Sequence, residues 1–270
     1  MSLALAFDVN RSPLPGTVTE AAAPDVAVSD LSVRFGEGLP IFSGVSFSVI
    51  PGQAVSLIGA NGAGKSTILK CCLGLLEPTQ GDVRLFAEPM TASTAGKRRS
   101  LRRRIGFVAQ KHNLVPRLSV LSNVVNGLLG QRSGPRSWIQ GLASSQSRDA
   151  ALDALERVGL AHLALRRADT LSGGQSQRVA IARALVAEPR LIIADEPAAS
   201  LDPAAGKEVM EAFNNVVRRS GTTLLFTTHH LDHATSYADR VIGLRNGTLQ
   251  IDQPAESIAA RDLRGFYDRH

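Results

Sequence analysis

Cysteine is scarce in this 270-residue chain: only Cys71 and Cys72 occur, side by side. Adjacent residues on a helix point in different directions, so no disulfide framework is possible, and the sequence predicts two inert buried thiols in a reducing compartment. Aromatic residues make up 4% of the chain. None interrupts the densest basic run, Lys97, Arg98, Arg99, Arg102, Arg103 and Arg104, which therefore lacks rings on which nucleic-acid bases stack and reads as a solvated helix face. No apolar stretch reaches the roughly 18 to 20 residues needed to cross a bilayer, so any membrane connection must run through another polypeptide. The opening MSLALAF is broken by Asp8 and Arg11 and has no basic leader, so no secretory signal is expected.

What is present is a chain with 44% hydrophobic residues and a formal charge of +6, enough to bury a sizeable core. The charge suits a polyphosphate, an anionic lipid or nucleic acid alike. Residues 1–24 contain Pro13, Pro15, Gly16 and Pro24 without periodic apolar spacing, and read as a loosely ordered extension. From Val26, alternation in VAVSDLSVRF and VSFSVIPGQ predicts antiparallel strands. AVSLIG, LIIADE and TTLLFTTH are short, nearly all-apolar runs of the kind found in buried parallel strands, separated by helical spacing such as Val209, Phe213 and Val216. The fold class is therefore α/β around a parallel sheet, with a helical insertion at about 111–188. Asn246-Gly247 between two alternating runs predicts a hairpin, and the main domain is expected over 25–255, with a short tail at 256–270.

The chemistry starts at Gly59-Ala-Asn-Gly-Ala-Gly-Lys65-Ser66, which matches G-x-x-x-x-G-K-[ST] after a predicted strand and before a predicted helix. The glycines allow backbone N–H groups to approach phosphate oxygens at a helix start, where the dipole favours an anion. Gly59, Asn61, Gly62, Ala63, Gly64, Lys65, Ser66 and Thr67 are thus candidate nucleotide-binding residues. Lys65 is placed to reach the β and γ phosphates, and Ser66 to ligate Mg²⁺. LIIADE delivers Asp195 and Glu196 to a strand end, the first suited to Mg²⁺ and the second to orient an attacking water. In LSGGQSQR, Ser172, Gly173 and Gly174 open a second helix whose free N–H groups form another anion site.

LSGGQ, with the two motifs before and after it, resembles the signature of ABC ATPases, and the likeness spans about residues 26 to 254. It implies a P-loop NTPase (RecA-like) core with an N-terminal antiparallel β subdomain and an inserted α-helical subdomain. It also implies a site of one copy closed by the signature of another, with Gln175 beside Ser172. Carried over on matching positions, Gln110 senses Mg²⁺ or water, Asp202 lies in the loop that crosses the dimer interface, His229 contacts the γ-phosphate, and Phe35 stacks on adenine. The implied cofactors are ATP and Mg²⁺. The implied partners are a second copy, transmembrane permease subunits and, indirectly, a solute-binding protein, at the cytoplasmic face of the inner membrane, with no nucleic acid. LRRRIGFVAQKHNLVPRLSVLSNVVNGLLG, LALRRADTLSGGQSQRVAIARAL, ADEPAASLDP and DRVIGLRNG are most similar to the ATPases of phosphonate importers, while Thr228, His230 and His233 depart from that pattern. Import of another small solute, an exporter motor, or a soluble ABC ATPase acting on DNA or ribosomes are the alternatives. The last typically carries a long coiled-coil insertion or two fused cassettes, and neither is visible in the sequence.

Overall fold

A computed structural model of the chain describes residues 23–131, 144–258 and 266. The expected N-terminal extension as far as residue 22, most of the polar connector after Gln131 and most of the C-terminal tail lie outside the described residues.

The alternating segments β1 (Val26–Val33) and β2 (Phe42–Val49) pair antiparallel. With β4 (Gln80–Leu85) and β5 (Glu88–Pro89) they form a four-stranded sheet in the order β2-β1-β4-β5. The apolar runs β3 (Ala54–Ile58), β7 (Leu191–Ala194) and β8 (Thr223–Thr228) are buried at every residue. With β6 (Ile105–Val108), β9 (Arg240–Arg245) and β10 (Thr248–Pro254) they make a six-stranded sheet, order β10-β9-β3-β8-β7-β6, parallel except for β10. The hairpin joining β9 to β10 turns on Asn246 and Gly247, whose φ values of 49° and 73° suit its right-handed twist.

Two-residue periodicity in these strands divides the core. Ile192, Ala194, Leu224 and Phe226 pack on one face against the helices α5 (Gly173–Leu185) and α6 (Pro203–Ser220). Leu191, Ile193 and Leu225 face the other way, toward α1 (Lys65–Cys72) and the antiparallel sheet. At about 25 cal/mol per Å², burial on both faces makes this sheet the rigid platform on which the strand-end loops rest. The inserted region contains α3 (Val120–Val125), α4 (Ser145–Arg157) and α5. Before α3 the chain is irregular, and the wholly buried Asn123 supplies the missing pairing: its side chain accepts from Val115 N–H at 2.7 Å and donates to Val115 O and Ser119 O.

The basic run lies on and just after α2 (Ala95–Arg102), but it is more than a solvated face. Arg102 reaches Leu73 O and Gly74 O, Arg103 donates to Gly130 O at 2.7 Å, and Arg104 stacks 3.9 Å from the Phe86 ring centroid. These guanidiniums terminate carbonyls and cover an aromatic face, roles that composition alone does not reveal. Cys71 and Cys72 are buried, and burial pushes the Cys71 thiol up to about 11 and Cys72 higher still.

Candidate active site

The loop between β3 and α1 is shaped by glycines that nothing larger can replace. A Cβ on Gly59 would lie 2.4 Å from Leu244 O, and Gly64, at φ 102°, would drive one into Ile41 and Phe42 at 2.9 Å. Gly64 stands at the N-terminus of α1, where no side chain caps the helix and no acidic residue occupies the first turn. The uncapped N–H groups and the dipole make this end a receptor for an anion.

Behind that end, the ionic groups are already paired. Lys65 is buried, and its Nζ donates to Gly59 O at 2.8 Å and Ala60 O at 3.2 Å while lying 3.6 Å from Glu196 Oε1. Glu196 adopts the left-handed conformation, φ 46°, costing about 1–3 kcal/mol in a non-glycine residue. It is held there by its N–H bond to Thr227 Oγ1 (2.8 Å) and by His229 Nδ1, 3.2 Å from its Oε2. Asp195 Oδ1 accepts from both Ser66 Oγ (3.0 Å) and Thr227 Oγ1 (2.7 Å). Asp195 N–H in turn donates to Val108 O at 2.8 Å, placing the loop that carries Gln110 alongside. The ends of β3, β7 and β8 thus bring together Lys65, Ser66, Asp195, Glu196 and His229, as the sequence led us to expect.

Thr227 was not anticipated. Pairing of Ala194 with Phe226 sets it opposite Asp195, so one hydroxyl donates to one carboxylate and accepts from the backbone of the next. No sequence motif marks it, because its role exists only through the β7–β8 register. Gln110 is exposed, two residues past β6. Asn61 and Gly62 are exposed in the loop, with Ala63 and Thr67 partly covered. Phe35 is 60% exposed between β1 and β2, a ring with its faces free rather than a core residue.

The second helix start is built differently. Ser172 Oγ accepts from Gln175 N–H at 3.3 Å, and Gln175 Oε1 accepts from Ser172 N–H at 3.0 Å. This capping box ties down two N–H groups expected to be free, leaving those of Gly173 and Gly174 as the outward donors. Ser172 and Gly173 are exposed, and no hydrogen bond joins Ser172 to Lys65, Ser66, Asp195 or Glu196. Asp202 caps α6 by accepting from Ala205 N–H at 3.0 Å, and Leu201 beside it packs close to Gly173.

A family model described as ABC transporter matches residues 42–199. This chain belongs to the ABC transporter family. Its relatives include a protein of Frankia casuarinae named "Phosphonates import ATP-binding protein PhnC", 44% identical over 85% of this chain and 90% of that protein. A "Phosphate-import ATP-binding protein PhnC" of Mycolicibacterium smegmatis is 43% identical over 92% of this chain and 94% of its own length. Among solved structures, a dimeric ATP-binding cassette in a post-hydrolysis state with ADP and Pi is 31% identical, with TM-score 0.74, and covers 86% of this chain and 100% of that one. The cbiO1 cassette of Clostridium perfringens, part of a cbiONQ transporter complex, is 29% identical, with TM-score 0.77, over 89% and 92%. As an ABC ATPase the chain binds and hydrolyses ATP.

Proposed function

We propose that this chain energises an importer of a phosphorus oxyanion, phosphonate or a close relative, and that two copies close around ATP to do so. The observation that carries the catalytic part is the Lys65–Glu196–His229 cluster, in which Lys65 lies 3.6 Å and His229 3.2 Å from the Glu196 carboxylate at the mouth of an uncapped helix. When the polyphosphate arrives at the N–H groups of α1, Lys65 exchanges loop carbonyls for β and γ oxygens. Glu196 is then free to orient water toward the γ-phosphorus and accept its proton, and His229 donates to a γ oxygen as charge develops there.

The donor set fits Mg²⁺: one hydroxyl and one carboxylate, Ser66 and Asp195, both hard oxygen ligands and already in contact, with the bonds from Ser66 and Thr227 both falling on Asp195 Oδ1. When bound, the ion supplies charge neutralisation on the phosphate oxygens. Gln110, two residues past β6, is the further ligand to the ion on this reading, and the exposed Phe35 offers its ring to the adenine.

Ser172 and Gly173 are exposed in one copy, so the signature, Gly174 included, acts on the nucleotide of another, and the dimeric cassette among the structural relatives supports that reading. The Glu196–Asp202 segment, packed through Leu201 against Gly173, links each hydrolytic carboxylate to the signature of its own copy. No helix among the described residues is long and apolar enough to cross a membrane. As an importer ATPase the chain works at the cytoplasmic face through a permease, and a cleft of about 260 Å³ between β6 and the inserted helices, lined by Phe107, Gly130 and Gln131, serves as its docking surface. A solute-binding protein completes the system on the other side. Relatives named for phosphonates and for phosphate share one cargo chemistry, a tetrahedral phosphorus oxyanion.

The test is reconstitution in vesicles with a phosphonate-type permease and its solute-binding protein. Turnover stimulated by methylphosphonate, phosphite or phosphate, and not by sugars or amino acids, is expected. Stimulation by a solute without phosphorus would overturn the cargo assignment.

A further inference from the structure

His229 is the first of four rings in a row, each tilted against the next by 36°, 49° and 59°. Its centroid lies 4.2 Å from that of His230, His230 lies 4.9 Å from His233, and His233 lies 5.6 Å from Tyr237. The local chain explains the order. β8 ends at Thr228, whose Oγ1 accepts His230 N–H at 3.0 Å and turns the backbone into α7 (Leu231–Ser236), while Tyr237 N–H donates to His233 O one turn further on. Tyr237 is buried in the same core cluster as Phe226 and Met210, so the row is anchored at its far end and exposed at its near end.

The side-chain bond recorded for His229 is the one to Glu196, and its position otherwise depends on the ring behind it. His233 Nδ1 is buried with no hydrogen-bond partner, beside a crevice too narrow for water that is lined by Pro197, Ala199, Met210 and His230. A ring that leaves a nitrogen unsatisfied is kept for its faces, not for its polarity. The charged groups facing the row are Glu196, itself paired to Lys65, at the near end, Asp232 on α7 beside His230 and His233, and Glu211 on α6 toward Tyr237.

We propose that His230 and His233 are positioning residues for hydrolysis: uncharged, their rings brace His229 against Glu196, and protonation of the row in acid releases that brace. The inference rests on the reading of His229 as the γ-phosphate contact. Burial, and then the neighbouring imidazoles, hold His230 and His233 below the ordinary histidine value. For a base shifted this way the stabilisation is complete above the unfolded value of about 6.5 and is lost as pH falls below it. Turnover therefore acquires an acid limb below the ordinary histidine value, set by residues that do not touch the nucleotide.

The experiment measures kcat and KM for ATP from about pH 5.5 to 8.5 in the full chain and its His229→Ala, His230→Ala, His230→Phe and His233→Leu variants, with histidine Cε1 proton titrations by NMR. We expect His230→Ala to lower kcat about tenfold with KM within about twofold, and His230→Phe to restore kcat while flattening the acid limb. His233→Leu should also weaken the acid limb, and the His229 titration should move when His230 is replaced. If His230→Ala and His230→Phe both match the parent in kcat and pH profile while His229→Ala is inactive, the brace is refuted and the site reading stands. If His229→Ala keeps full turnover, the site reading falls and the brace with it. His230 is exposed, so its replacement leaves the core intact, and ATP binding by His230→Phe checks this.

Discussion

At the start of α1 no side chain caps the helix, and behind it Glu196 pairs with Lys65 and His229 while Ser66 donates to Asp195. At the start of α5 Ser172 and Gln175 cap each other, and Ser172 and Gly173 are exposed with no ionic partner among them. Both are helix N-termini with the same dipole, yet only the first has the groups that perform chemistry. On the proposed reading, the difference teaches that one copy holds a prepared catalytic half and a capped half without ionic groups of its own. The capped half gains a task only when set against another nucleotide. Pre-pairing also means that the arriving phosphates must displace Gly59 O and Ala60 O from Lys65 before Glu196 is released.

The largest expected effect follows from removing the proton acceptor of the prepared half. Glu196→Gln should bind ATP as the parent does and lose at least about a hundredfold in turnover, and unchanged phosphate release would remove Glu196 from its role. Next comes the other half. Ser172→Arg places a bulky cation where a partner's nucleotide must fit, so ATP binding to the single chain should persist while turnover falls about as far. A variant that hydrolyses normally would show that the outward face has no catalytic task.

Smaller effects separate support from chemistry. Thr227→Val removes the donor to Asp195 and strands Glu196 N–H. Denaturant unfolding should register a loss of about 1–3 kcal/mol, with kcat reduced more than ATP affinity. The smallest belongs to the capping box: Gln175→Ala should cost about 1 kcal/mol in thermal or denaturant stability and leave ATP binding by the α1 side untouched. A fall in ATP affinity there would break the contrast between the two helix starts.

Much of this was legible in the sequence for a physical reason. Strand-end residues of a parallel sheet are fixed by periodicity, and Asp195, Glu196 and His229 each directly follow or lie one residue beyond a fully buried run. Lys65 and Ser66 open a helix whose preceding glycines are required by contacts with Leu244, Ile41 and Phe42. Thr227 was not legible, because its hydroxyl matters only when the β7–β8 register is known. The row of His230, His233 and Tyr237 was equally hidden: the departures at Thr228, His230 and His233 could be noted but not assembled until α7 set their rings in line. The sequence reads the helix start at Ser172, Gly173 and Gly174 as offering free N–H groups, whereas Ser172 N–H is taken by the Gln175 side chain and Gln175 N–H by the Ser172 hydroxyl. The α2 cations were read as solvated because the carbonyls they terminate, at Leu73, Gly74 and Gly130, lie elsewhere in the chain.

The central claim is that a nucleotide is enclosed between Lys65 of one copy and Ser172 of another. The most direct measurement is the solution mass of the Glu196→Gln chain, with and without Mg-ATP, compared with the same chain carrying Ser172→Arg. The account predicts that Mg-ATP doubles the mass of the first and leaves the second single although it still binds nucleotide. A Glu196→Gln chain that stays single when saturated with Mg-ATP, or a pair that forms regardless of Ser172→Arg, would contradict it.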